Sequence, residues 1–299
     1  FQADSNQWQL QLDPAQQLSC RFLLMATGCL SSPNMPDIDG LQTFKGPIYH
    51  TARWPQSPVD FSDQRVGVIG NGSSGLQIIP QLAPQVKQLL VFQRTAQYAV
   101  PSRNRPLDRQ EVTEIKADYP GFRARNRQQS SAQLSNVETC QQSALSVSPA
   151  ERQQLYQASW QQGGFVFYAT FNDLMRNQQS NQTAAEFIRT KIGQIVNDPQ
   201  RAKLLSPQHV MGCKRPALEN GYFETFNRPN VDLVDISANP IRSISPSAIH
   251  LQDQEYPLEA IVMATGFDAM TGALMKIDIC GLNGLSLKQK WSTGPHNYL

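Results

Sequence analysis

Apolar positions fall in short runs separated by polar, proline-rich and glycine-rich connections, a rhythm that predicts brief strands alternating with amphipathic helices. Trp8-Gln9-Leu10-Gln11-Leu12 alternates with the period of a strand and is punctuated by Asp13-Pro14. Cys20 to Met25 predicts a second, apolar strand running into Ala26-Thr27-Gly28, and Ser31 to Gly40 reads as a loop. Val66-Gly67-Val68-Ile69 and Leu89-Leu90-Val91-Phe92 are runs of the kind buried on both faces of a parallel sheet. Between them Ser73 to Ile79 reads as a helix start, which Pro80 and Pro84 are expected to kink or shorten. Val231 to Asp235, Ile241 to Ile244 and Ala248 to Leu251 predict short strands. They lead to Ala260-Ile261-Val262-Met263, which ends, like the Cys20 run, in Ala-Thr-Gly at Ala264, Thr265 and Gly266.

The pattern between residues 105 and 209 is different and predicts a helical insertion. Ser148-Pro149-Ala150-Glu151 sets a capping serine, a first-position proline and a glutamate three residues on, the signature of a capping box. Thr183 to Asn197 carries Ile188, Ile192, Ile195 and Val196 on one face and predicts a helix stopped by Asp198-Pro199. Phe165 to Phe171 is apolar and compatible with either strand or helix.

Candidate chemistry centres on Gly70-Asn71-Gly72-Ser73-Ser74-Gly75, a G-x-G-x-x-G turn between an apolar strand and a helix start. Such a turn seats a pyrophosphate on free backbone N–H groups: Gly70 for the turn, Gly72 for approach to the phosphates, Gly75 for helix packing on the strand. The following strand decides which dinucleotide is bound. An acid at its end would take a ribose 2′-hydroxyl, whereas here Gln93-Arg94-Thr95 offers a guanidinium and a hydroxyl for a 2′-phosphate. NADP is therefore the expected ligand; a solvated surface Arg94 is the competing reading.

With 299 residues, 40% hydrophobic and 17% charged, the chain has the composition of a globular protein large enough for two domains, or for one with an insertion. A net charge of +2 without a basic cluster gives no field for nucleic acid or an acidic membrane. No apolar run is long enough to span a bilayer. Five dispersed cysteines without C-x-x-C spacing, and few, scattered histidines, argue against a metal site or a disulfide framework and suit a reducing cytoplasm.

Upstream of the glycine turn, Phe44, Gly46, His50, Trp54 and Pro55 stand in the spacing F-x-G-x-x-x-H-x-x-x-W-P. This resembles the fingerprint of type I Baeyer-Villiger monooxygenases, and all of its fixed positions match. Related N- and S-hydroxylating flavin monooxygenases carry a similar motif without the terminal Trp-Pro. The resemblance implies an α/β, Rossmann-like two-dinucleotide-binding flavoprotein fold with a helical insertion, binding FAD and NADP. It implies that the two Ala-Thr-Gly segments, Ala26-Thr27-Gly28 and Ala264-Thr265-Gly266, link the two nucleotide domains. The corresponding organisation is residues 1–29 and 267–299 as parts of the FAD-binding domain, 30–104 and 210–266 as the NADP-binding domain, and 105–209 as the insertion.

In the family's chemistry NADPH reduces the flavin, and O2 then gives a flavin peroxide that converts a ketone to an ester or lactone. On the resemblance, Arg215 of Gly212-Cys213-Lys214-Arg215-Pro216 is the catalytic arginine and Lys214 helps bind the 2′-phosphate beside Arg94. Asn71, Ser73, Ser74, Gln77 and Thr95 complete the expected cofactor set. The family's N-terminal FAD glycines, the acidic partner of its arginine and its C-terminal substrate-lining segment have no counterpart here. A fragment truncated at both ends is therefore expected. An N- or S-hydroxylating enzyme and a non-catalytic NADP-binding module are the alternatives, and neither the particular ketone nor the oligomeric state is legible.

Overall fold

The computed structural model describes residues 1–128, 140–281 and 283–296. It divides into two compact units, Phe1–Asn34 with Phe267–Leu299, and Met35–Gly266. In the first, β1 (Trp8–Asp13) and β2 (Gln16–Cys20) pair as an antiparallel hairpin, its turn closed by the Asp13 carboxylate accepting from the Ala15 and Gln16 N–H groups. The expected strand from Cys20 to Met25 does not form: only Cys20 pairs, and Phe22 and Leu24 are 79% and 89% exposed. An extended run becomes a strand only against a ladder partner, and no described residue pairs with the rest of this one.

The second unit is organised on β3 (Ile48–His50), β4 (Arg65–Ile69), α1 (Ser73–Leu82), β5 (Gln88–Gln93), β6 (Ala99–Pro101), α2 (Arg109–Ala117), α3 (Tyr119–Gln128), α4 (Pro149–Gln162), α5 (Gln178–Ile195), α6 (Pro199–Leu205), β7 (Ala217–Glu219), α7 (Tyr222–Thr225), β8 (Val231–Asp235), β9 (Ser243–Ser245), β10 (Ala248–His250), β11 (Glu255–Pro257) and β12 (Ala260–Met263). Five strands form one parallel sheet in the order β3-β12-β4-β5-β8.

Both faces of that sheet are covered, which is why its strands read as unbroken apolar runs. Val66, Val68, Leu89, Val91, Ala260 and Val262 point to one side, where they share a core with Leu76, Ile79 and Leu82 of α1 and with the insertion. The alternate residues Ile69, Leu90, Phe92, Ile261 and Met263 point to the other, against Ile244 and Ile249 of the antiparallel β11-β10-β9 sheet and Phe44. Pro80 does not break α1 at once; the helix runs two residues further and is capped at Ala83.

Within the insertion, Ser148 accepts from the Glu151 N–H at 3.2 Å and Pro149 opens α4; this is half of the expected capping box, since the Glu151 side chain does not reach back to the Ser148 N–H. The ambiguous Phe165–Phe171 stretch contributes a 3-10 helix, Gly164–Ala169. Its Phe167 is fully buried among Tyr156, Trp160 and Phe187, with ring centroids 5.4 to 6.1 Å apart. Helix α5 begins five residues earlier than its apolar face predicts, because Asn177 caps it by accepting from the Gln179 and Ser180 N–H groups. Asp198-Pro199 is more than a stop: Asp198 caps α6 and Pro199 is its first residue.

Arg65 and Glu259 join the starts of β4 and β12, the carboxylate accepting both the guanidinium and, at 2.6 Å, the Arg65 backbone N–H. Hydrogen bonding from Arg65 holds the Glu259 carboxyl below its ordinary value. A depressed carboxyl adds stability above its unfolded value and loses it as pH falls through the folded one.

Phe167→Ala is expected to cost about 3 to 5 kcal/mol by leaving a core cavity, read from the urea-unfolding midpoint; Leu24→Ala should stay within about 0.5 kcal/mol. Equal losses would contradict the burial pattern. Glu259→Gln should cost under about 1 kcal/mol at pH 7, because both partners remain more than a third exposed, and the difference from the parent should shrink as pH falls through the depressed value of the folded carboxyl.

Candidate functional site

The glycine turn closes over the end of the parallel sheet. Gly70 N–H donates to the Phe92 carbonyl at 3.2 Å, and the Ala264 N–H donates to Ile69 O at 2.9 Å, so the turn is stitched to β5 on one side and to the second Ala-Thr-Gly on the other. Gly70 has φ +102, and a Cβ there would stand 2.6 Å from the Ala264 carbonyl oxygen. A Cβ at Gly75 would stand 2.4 Å from Gly70 O. Space around Gly72 is open: nothing lies within 4 Å of where its Cβ would be.

Helix α1 starts at that opening. Its N-cap, Gly72, has no side chain to accept the first N–H groups, and no acidic residue stands in the first turn. Uncapped N–H donors at the positive end of a helix dipole, reached through a glycine without steric cover, fit a pyrophosphate. Ser73 and Gln77 are exposed and Ser74 half-buried along the same turn. Asn71, by contrast, is buried: its Nδ2 donates to Gln93 Oε1 at 2.7 Å, and Gln93 Nε2 donates to Leu204 O at 2.8 Å. It is thus a support of the turn, joined through Gln93 to α6. Burial pushes the nearby Tyr222 phenol up.

The fingerprint residues pack against this frame. Phe44 is buried, and the Glu259 carbonyl occupies the place of a Gly46 side chain, with 2.1 Å to a built Cβ. His50 ends β3 in the interior; its Nδ1 accepts from the Ala52 N–H at 3.0 Å, which assigns the proton of a neutral ring to Nε2, 3.3 Å from Thr265 Oγ1. The motif histidine and the second Ala-Thr-Gly therefore meet directly. Trp54 packs at a tilt beside Tyr49 and Phe61, with Pro55 half-buried after it. Thr51, Trp54, Ser74, Gln77 and Ile78 line a cavity of about 250 Å³, where the Thr51 hydroxyl is buried without a hydrogen-bond partner among the described residues.

The three expected cations stand on loops. Arg94 and Thr95 follow β5 and are exposed, as are Lys214 and Arg215 before β7. Gln97 Nε2 donates to the Arg215 carbonyl at 2.8 Å, and β6 pairs in parallel with β7. The Arg94 loop and the Lys214-Arg215 segment are thus neighbours through their backbones, and no ion pair to a described residue occupies any of the three. Burial first, then the charge of Lys214, holds the His209 imidazole below its ordinary value.

The two Ala-Thr-Gly segments differ in setting. Ala264 is buried and Thr265 half-buried at the end of β12, whereas Ala26 and Gly28 are exposed and outside regular structure. Both glycines have positive φ, +71 at Gly28 and +78 at Gly266. Beyond them Pro33 and Phe267 form an antiparallel bridge, and Asp268 N–H donates to Ser32 O at 2.8 Å. No second strand passes through a G-x-G-x-x-G turn into a helix among the described residues, so the fit to a dinucleotide holds for one such ligand. No cluster of these residues could hold a metal ion, and none of their helices is long and apolar enough to cross a membrane.

Sequence reasoning singled out Arg94 and Thr95 but missed Gln93, although a polar residue closing a run as apolar as Leu-Leu-Val-Phe is itself a signal of a buried partner. Gln97, which takes the Arg215 carbonyl, and Tyr98 and Asn181, which bind the loop leading up to it, carry no comparable mark.

Residues 3–107 match the family described as flavin-binding monooxygenase-like. Cyclohexanone 1,2-monooxygenase from an Acinetobacter species is 42% identical across 98% of this chain, and a Baeyer-Villiger monooxygenase from Pseudooceanicola batsensis is 40% identical over the same share. The chain covers 54% and 53% of those two proteins, about half the length of the relatives it matches. The crystal structure of OTEMO in complex with FAD and NADP superposes with a TM-score of 0.92 at 39% identity, over 98% of this chain and 55% of that one. Sequence, fingerprint and fold agree: across nearly its whole length the chain matches about half of a type I Baeyer-Villiger monooxygenase.

Proposed function

We propose that this chain is the NADP-binding half of a flavin-dependent monooxygenase that inserts one oxygen of O2 into a ketone, giving an ester or lactone. The observation that carries the reading is the uncapped start of α1 behind an open Gly72, with Arg94, Lys214 and Arg215 on adjoining loops and in no ion pair among the described residues. Gly70, Gly72, Ser73, Ser74 and Gly75 would hold the pyrophosphate, with Gln77 beside it. Arg94, Thr95 and Lys214 would take the 2′-phosphate, the guanidinium bidentately and the ammonium as a point charge.

When bound, NADPH and FAD supply the hydride and the oxygen-activating chemistry. The contribution of this chain is placement and charge. Arg215 would supply a fixed cation for negative charge that develops during oxygen transfer. His50 and Thr265 fix the junction between the fingerprint and the end of β12.

The organisation that fits this reading gives residues 1–29 and 267–299 to an FAD-binding domain completed elsewhere in the protein, 30–104 and 210–266 to the NADP-binding domain, and 105–209 to the insertion. Ala26-Thr27-Gly28 and Ala264-Thr265-Gly266 are then the links between the domains. A reducing, cytoplasmic setting suits the five free cysteines.

In the complete protein, Arg94→Ala is expected to weaken NADPH by about 1.5 to 3 kcal/mol, a lost charge-assisted contact, with little change for NADH. Titrations with both cofactors check this, and equal losses would remove the 2′-phosphate role. Arg215→Ala should abolish ester formation while NADPH-dependent flavin reduction remains measurable by stopped flow; an undiminished ester yield would exclude Arg215 from oxygen transfer. Product analysis with ketones, amines and thioethers separates ester formation from N- or S-oxygenation.

A further inference from the structure

Between α6 and β7 the chain runs without regular structure from Ser206 to Pro216, and it carries Lys214 and Arg215 at its exposed end. Loops of this kind ordinarily leave backbone groups to solvent. Here side chains from helix α5 and from the segment just before β6 take hold of it. Asn181 of α5 is buried; its Nδ2 donates to Met211 O at 2.8 Å and Leu174 O at 2.9 Å, and its Oδ1 accepts from the Met211 N–H at 3.1 Å. Arg189, two turns along the same helix, donates to Pro207 O and to the Tyr98 hydroxyl, each at 3.1 Å. That hydroxyl lies 2.9 Å from His209 O, and the Tyr98 ring meets the His209 ring edge-on at 5.0 Å. Gln97 takes the Arg215 carbonyl itself.

The pattern is selective. These side chains bind backbone of the loop and leave both of its cations outside, unpaired with any described acid. A buried amide that pairs with both the N–H and the C=O of one residue fixes the backbone there in position and orientation, and is costly to break. We infer that Asn181 and Gln97 are positioning residues for the Lys214-Arg215 pair, and that helix α5 of the insertion is the splint that sets where those two charges stand. The inference rests on the reading of Lys214 as a 2′-phosphate ligand.

The test uses the complete FAD-loaded protein and the ratio of kcat/KM with NADPH to that with NADH for flavin reduction. Asn181→Ala and Gln97→Ala should each lower that ratio by roughly tenfold, the worth of one displaced charge-assisted contact. Each should lower it no further when combined with Lys214→Ala, because both act through the same charge. Thr183→Ala is the control on the same helix: it loses the Tyr156 contact, 2.8 Å, and touches nothing in the loop. It should lower the thermal midpoint and leave the ratio alone.

An unchanged ratio in folded Asn181→Ala and Gln97→Ala, beside a reduced one in Lys214→Ala, overturns the splint while sparing the phosphate reading. A ratio that Lys214→Ala itself leaves unchanged overturns the phosphate reading and the splint with it. Gln97, half-exposed, decides alone if Asn181→Ala does not fold.

Discussion

Two missing methyl groups govern the geometry of this protein. Backbone from the turn after β4 and backbone from the end of β12 approach so closely that a Cβ at Gly70 would overlap the Ala264 carbonyl, and one at Gly75 the carbonyl of Gly70. Because those Cβ atoms are absent, α1 can begin directly against the sheet, with its first N–H groups aimed at open space. Everything proposed for the cofactor follows from that contact. The same approach brings Thr265 within reach of His50, so the fingerprint upstream and the small-residue segment far downstream are parts of one packed junction. A motif that looks on the page like three separate signatures is, in the fold, one crowded corner.

Much of this was legible in the residues, and the failures have physical causes. Runs such as Val66–Ile69 and Ala260–Met263 announced themselves because both faces of the sheet are covered, so that no polar residue interrupts them. The helix starts were readable where a capping residue does the work locally, as at Ser148. Cys20 to Met25 has the same apolar character and yet forms no strand, since a strand is a relation between segments and its ladder partner is not among the described residues. Asp198-Pro199 looked like an ending because the helix before it loses its apolar period there; that a second helix starts on the same two residues depends on Asp198 turning its carboxylate to the Gln200 N–H.

The site was legible in its chemistry and illegible in its support. Glycines, arginines and the fingerprint histidine stand out by type and spacing. The residues that hold them, Gln93, Gln97 and Asn181, are amides of ordinary appearance whose role comes from burial and from which carbonyl they face. One-dimensional spacing carries no record of such partners, because Asn181 and Met211 belong to different elements and meet only after packing.

The Gln93 amide has a consequence for cofactor choice. Its oxygen accepts a hydrogen bond from Asn71 Nδ2 and its nitrogen donates one to the Leu204 carbonyl, so neither end can be exchanged for the other. A glutamate at that place would set a carboxylate oxygen against a peptide oxygen in the interior, without water to relieve it. The last residue of β5 is thereby closed to acid for reasons of internal pairing alone. A carboxylate to hold a ribose 2′-hydroxyl would have to enter at a neighbouring position instead, such as the exposed Arg94 or Thr95.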